Sequence, residues 1–180
     1  SVEQKAELFK IIWNNYLRRP VYIRWRSPIL SILQQCYSVG CCQMLMPTTE
    51  YLNKIQLSNI SAILEVLAQG NCLSAEVISY WTNAAKKLVE KQNSDIQYVS
   101  LSIFEAINDI KDLIRIEKKF DTFNSDVKGK YCDITGYNGF TDKNVIQCWI
   151  KECYQSNPHA INAILCIENT ELILKSATYR

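Results

Sequence analysis

Apolar side chains recur at three- and four-residue steps along nearly the whole chain, which is the period of an amphipathic helix, and no alternating run is long enough to demand a strand. Residues 2–17 carry Leu8, Phe9, Ile12, Trp13, Tyr16 and Leu17 on one stripe, and Pro20 stops it. Ser27-Pro28 reads as an N-cap with proline at the first helical position, followed by Ile29, Leu30, Leu33, Cys36 and Tyr37 up to Gly40. After Pro47, Thr48 or Thr49 caps a short helix through Ile55. Ser58 caps the next, with Ile60, Ile63, Leu64 and Leu67 inside and Gly70 as a left-handed C-terminal residue.

From Ser74 the predicted helices lengthen. Val77, Ile78, Trp81, Ala84, Ala85, Leu88 and Val89 keep the spacing to Lys91, and Ser94-Asp-Ile-Gln97 matches a capping box, in which Ser and Gln each satisfy a backbone donor. Ile96, Val99, Ile103, Ala106, Ile107, Ile110, Leu113 and Ile114 then hold one stripe for about six turns. Lys111, Arg115, Lys118 and Lys119 lie toward its end, where the helix dipole favours positive charge. Residues 124–140 break the pattern: they hold Gly129, Gly136 and Gly139 and no sustained period, so a loop is predicted there. Thr141 caps a helix bearing Val145, Ile146, Trp149, Ile150 and Cys153, and Asn157-Pro158 restarts the chain into Ile161, Ile164, Leu165 and Ile167 before Leu172, Ile173 and Leu174.

The expected fold is all-α, with seven to nine amphipathic helices arranged as an irregular helical bundle or a short HEAT- or armadillo-like array. No residue signature repeats at a fixed period. The length suits a single domain, 1–180, that buries roughly 70% of its unfolded surface. Trp13, Trp81, Ile103, Ile107, Ile110, Trp149 and Leu165 are expected in the core. The opening Ser-Val-Glu, without an initiator Met or a signal pattern, suggests a domain excised from a longer chain.

Composition changes the picture only in part. Charged residues make up 21% and hydrophobic ones 48%, too apolar for disorder, and no apolar run approaches the roughly 20 residues of a membrane span. A globular, membrane-free protein is expected. The eight cysteines could pair as four disulfides in a secreted helical effector. Most lie among apolar residues at helical positions, however, where free cysteine behaves as a small core hydrophobe, so a reduced intracellular protein, cytoplasmic or nuclear, is preferred. Cys148, Cys153 and His159 come nearest to a zinc spacing but lack a second ligand couple, and no metal or cofactor is expected.

Groups able to do chemistry are scarce. His159 is the sole histidine, and it follows a helix-starting proline, which suits a surface or capping role. Cys41-Cys42 is adjacent rather than Cys-x-x-Cys, Lys128-Gly129-Lys130 matches neither phosphate-binding glycine pattern, and the Asn59-Ile60-Ser61 sequon lies at a predicted helix start. One constellation rises above this background. Residues 16–26 interleave Arg18, Arg19, Arg24 and Arg26 with Tyr16, Tyr22 and Trp25, and residues 1–26 carry six Lys or Arg against Glu3 and Glu7, leaving the other 154 residues at −2. Arginine forks and stacking aromatics suit nucleic acid or an acidic peptide. The same residues also suit a helix junction, with aromatics packed inward and arginines solvated. Abundant helix surface and few catalytic groups favour a non-enzymatic protein-interaction module or scaffold component, with another protein as partner. The alternatives are nucleic-acid binding through Arg18, Arg19, Tyr22, Arg24, Trp25 and Arg26, and a secreted disulfide-linked effector.

Overall fold

A computed structural model describes residues 1–18, 23–48, 52, 56–108, 110–167 and 173, without the side chains of residues 16–18, 23–27, 39 and 110. The described residues are all-helical and contain no strand. Among them, eight α-helices of at least eight residues follow one another: α1 (Val2–Arg18), α2 (Ile23–Cys36), α3 (Leu57–Gln69), α4 (Ala75–Val89), α5 (Ser94–Ala106), α6 (Ser125–Tyr137), α7 (Lys143–Cys153) and α8 (Pro158–Leu165). A 3-10 segment, Val39–Leu45, follows α2, and a run of tight turns with one α-turn, Leu113–Ile116, links α5 to α6.

Helix α5 packs on α3, α4 and α6, while α6 packs on α5, α7 and α8; α1 and α2 close the bundle against α3. Burying the three-and-four stripes holds these layers together. Phe9 and Trp13 of α1 stack with ring centroids 5.8 Å apart and meet Leu33 and Cys36 of α2 in the core. Trp81 of α4 is fully buried and donates its indole N–H to the Leu45 carbonyl at 2.7 Å, and Trp149 of α7 donates to Thr135 Oγ1 of α6 at 2.9 Å. A buried indole keeps its N–H satisfied in this way while contributing its large apolar face. Ile103 and Ile107 are buried as expected, but Leu165 is 76% exposed, because α8 turns Ala160 and Ala163 toward α6 instead. The side chain of Ile110 lies outside the described residues.

The largest departure from expectation is at 124–140. Ser125–Tyr137 is a helix, and only the short stretch after it is turn. Gly129 and Gly136 sit in this helix for space, and only Gly139, at φ +63, turns the chain after it. A Cβ on Gly136 would stand 2.6 Å from Ala163 Cβ and 2.7 Å from Ala163 Cα, and one on Gly129 would stand 2.8 Å from the His159 ring. Wedged between α5, α7 and α8, α6 buries Val127, Tyr131, Cys132, Ile134 and Thr135 on several faces, so no single stripe marks it.

Helix boundaries also differ from the expected ones. Asn93, not Ser94, caps α5 through the Ile96 N–H, and Asp142, not Thr141, caps α7 through the Asn144 and Val145 N–H groups. Helix α2 begins at Ile23 and runs through Pro28, so Ser27 does not start it; extending a helix already nucleated upstream is easier than nucleating a new one. Ser58 lies inside α3, which starts without a side-chain cap. Ser74 and Asn157 cap α4 and α8 as expected. The short helix expected through Ile55 lies mostly outside the described residues.

Candidate functional site

The Arg and aromatic constellation falls at the α1–α2 junction. Arg18 is the last residue of α1, and Arg24, Trp25 and Arg26 belong to the start of α2; Arg19 and Tyr22, and all six side chains, lie outside the described residues. The described side chains form a different site. Three helices each present a polar stripe at helical spacing: Ser61, Glu65 and Gln69 on α3; Asp95, Tyr98, Ser102 and Glu105 on α5; Asp126, Lys130 and Asp133 on α6. Together they line an open furrow with α5 as its floor.

Cavities of about 520 Å³ and 320 Å³ meet at Lys130. The first runs into a third of about 730 Å³ through Ala68 and Asn108, and the second into one of about 470 Å³ through Ser94 and Asn124. Lys130 occupies the centre: its ammonium lies 2.5 Å from Glu105 Oε2 and 5.8 Å from the centroid of the Tyr98 ring, a cation–π distance. The furrow's charge runs against that of the chain. Glu65, Glu90, Asp95, Glu105, Asp126 and Asp133 line it against Lys111, Lys119, Lys130 and His159, whereas the whole chain is +2. Glu105 is paired with Lys130, Glu90 with Lys119 and Asp133 with His159. Asp95, Asp126 and Glu65 make no ion pair among the described residues.

His159 stands at one end of the furrow on the first turn of α8. Its Nδ1 lies 2.8 Å from Asp133 Oδ2 and its half-exposed ring rests against Gly129. The pair ties the start of α8 to α6, and no described nucleophile is hydrogen-bonded to the imidazole. Behind the furrow, Glu152 is buried, lies 2.9 Å from Lys128 and accepts from Asn157 Nδ2 at 3.2 Å; this network fixes the α7–α8 turn to α6.

All eight cysteines are free thiols. Burial pushes the Cys132 thiol up, and burial pushes Cys148 up to about 12, so both are held as neutral core groups rather than nucleophiles. Tyr37 is pushed up by burial and by the Cys42 thiol 3.0 Å from its hydroxyl. Among the described residues no three His, Cys, Asp or Glu side chains gather to hold a metal, and no helix is long and apolar enough to cross a membrane. The zinc spacing of Cys148, Cys153 and His159 is thus not realised as a cluster, since His159 points to Asp133.

Sequence reasoning passed over the furrow because its side chains come from helices distant in the chain. The available signal was the recurrence of polar residues at three-and-four steps on α3, α5 and α6, which in isolation is the ordinary mark of a solvated face. No family model matches the chain, nor does any curated protein or solved structure, so function is read from these side chains alone.

Proposed function

We propose that the chain is a non-enzymatic protein-interaction module, a binding component of a larger assembly, and that the furrow over α5 is its working surface. The supporting observation is the furrow itself: an open concavity bounded by three helices, crossed by the Lys130–Glu105 pair and lined by Asp95, Asp126 and Glu65, which make no ion pair among the described residues. Ser61 donates to the carbonyl of Ser58 and Ser102 to that of Tyr98, each within its own helix. Such a surface offers acceptors and carboxylates without an ion pair to a partner, on a scaffold whose core is packed independently. Nucleic acid is the second reading. It rests on the arginines of residues 18–26, and the acidic furrow would repel phosphate.

Affinity capture with the intact domain, with nuclease present, tests the proposal beside a Ser61→Trp/Ser102→Trp variant that fills the furrow. A protein retained by the parent and lost by the variant, with both equally helical by circular dichroism, is the expected result. Equal retention by both would place the interaction elsewhere. Retention that vanishes with nuclease would favour the nucleic-acid reading.

A further inference from the structure

Resting on the interaction reading, we infer that the furrow accepts an extended segment of another protein carrying arginine or lysine at alternate positions. Helix α5 is an unpartnered face along its outer stripe: Asp95, Tyr98, Ser102 and Glu105 occupy successive turns with no helix laid over them among the described residues. Thirteen residues at 1.5 Å each make a floor of about 20 Å, the span of about six extended residues. The occupant's charge follows from what the furrow leaves unbalanced. Within a chain of net charge +2, this strip concentrates six carboxylates against three lysines and one half-exposed histidine. Among the described residues, the two lysine pairs and the Asp133–His159 contact along it leave Asp95, Asp126 and Glu65 without a cation, one on each of the three helices that bound the furrow.

The placement of Tyr98 sharpens the chemistry. Its ring is 42% exposed, lines the same cavity as Asp95 and Asp126, and already carries one ammonium, that of Lys130. A guanidinium entering beside it finds a π-face and carboxylates together, the environment that favours a planar cation over a neutral side chain. Extended backbone sends alternate side chains to one side, so every second residue of the segment would reach the floor. Complementary charge of this kind chiefly raises the association rate and selects among partners, and it is screened by salt.

The test uses the intact chain and a fluorescein-labelled peptide of about eight residues alternating arginine with serine, beside its glutamine-for-arginine counterpart. Fluorescence anisotropy at low and at about 0.15 M salt should show the arginine peptide binding at least about tenfold more tightly than the glutamine peptide, with the difference shrinking as salt rises. The furrow variant Asp95→Asn/Asp126→Asn/Glu65→Gln should lose about tenfold or more of that affinity. A control of equal net charge, Glu3→Gln/Glu7→Gln/Glu76→Gln, places the same change on exposed residues away from the furrow and should keep it. Thermal melts verify that both variants are folded, and Tyr98→Ala, on an exposed position, gives a second furrow lesion if the triple variant fails to fold. Equal losses in the furrow and control variants would reduce the effect to net charge and overturn the inference, as would equal affinity for the two peptides. A protein partner captured by the parent and lost on filling the furrow, together with no preference for the arginine peptide, would retain the interaction module and reject its basic specificity.

Discussion

Individual contacts carry several sharply placed constraints. A methyl group on Gly136 would meet both the Cβ and the backbone of Ala163, and the backbone cannot swing aside. Gly136→Ala should therefore lower stability by about 1–3 kcal/mol by urea denaturation, outweighing the helix-propensity gain of about 1 kcal/mol, and an Ala163→Gly background should restore only part of it because the α8 backbone still stands in the way. A variant as stable as the parent would show that α6 and α8 are not in close approach. Ile107 is buried at the end of α5, and Ile107→Asp should cost about 3 kcal/mol or more by burying a charge; a melt within a degree or two of the parent would contradict its place in the core.

Helix ends explain why boundaries were harder to read than stripes. Among the described residues, three of the four left-handed positions are not glycine: Asn71, Asn108 and Ser156, with Gly139 the fourth. After α3, the Asn71 N–H reaches the Ala68 carbonyl and the Cys72 N–H the Leu67 carbonyl at 2.8 Å, a Schellman closure in which Asn takes the place glycine usually has. Gly70, expected to be left-handed, has φ −84 and instead admits Gln34, whose amide lies 2.5 Å from where a Cβ would be. Asn108, also left-handed and with its N–H on the Glu105 carbonyl, ends α5, so the long stripe expected through Ile114 is broken although its apolar spacing continues. The start of α6 is more ordinary: Asn124 Oδ1 accepts from the Val127 N–H at 3.0 Å. Asn124→Ala should cost about 1 kcal/mol by thermal or urea unfolding, and Asn124→Asp should retain most of the stability, since a carboxylate caps equally well. Loss of the same amount in both variants would assign Asn124 some role other than capping.

For the molecule as a whole, titration and charge make the decisive predictions. Burial raises the folded-state Cys132 and Cys148 thiols, the latter to about 12, against an ordinary value near 8.5. Above the unfolded value the unfolded chain releases protons that the folded chain keeps, so this stabilisation is complete at neutral pH and is lost as pH rises from about 9 toward 12. The melting temperature should accordingly fall across that window, and less steeply in Cys132→Ala/Cys148→Ala; an identical slope would mean the thiols are not buried as neutral groups. Long-range attraction for nucleic acid is expected to be feeble at a net charge of only +2. Mixed-sequence oligonucleotides should bind more weakly than micromolar at about 0.15 M salt, and micromolar binding that Arg18→Glu/Arg19→Glu/Arg24→Glu/Arg26→Glu abolishes would move nucleic acid ahead of protein as partner.

The all-α class, the stripes of α3, α4 and α7, the Ser74 and Asn157 caps and the burial of Phe9, Trp13, Trp81 and Trp149 were legible in the chain alone, because a helix with one buried face writes its period into neighbouring residues; Leu8, expected on the α1 stripe, is exposed. Tertiary structure alone decided α6, whose glycines, tyrosine, cysteine and threonine satisfy several neighbours at once, so that no single face is apolar. It also decided the furrow. Glu65, Asp95 and Asp126 are separated by tens of residues, and each is an ordinary solvated acid on its own helix; only the packing of α3 and α6 on α5 turns three polar stripes into one surface with a common charge.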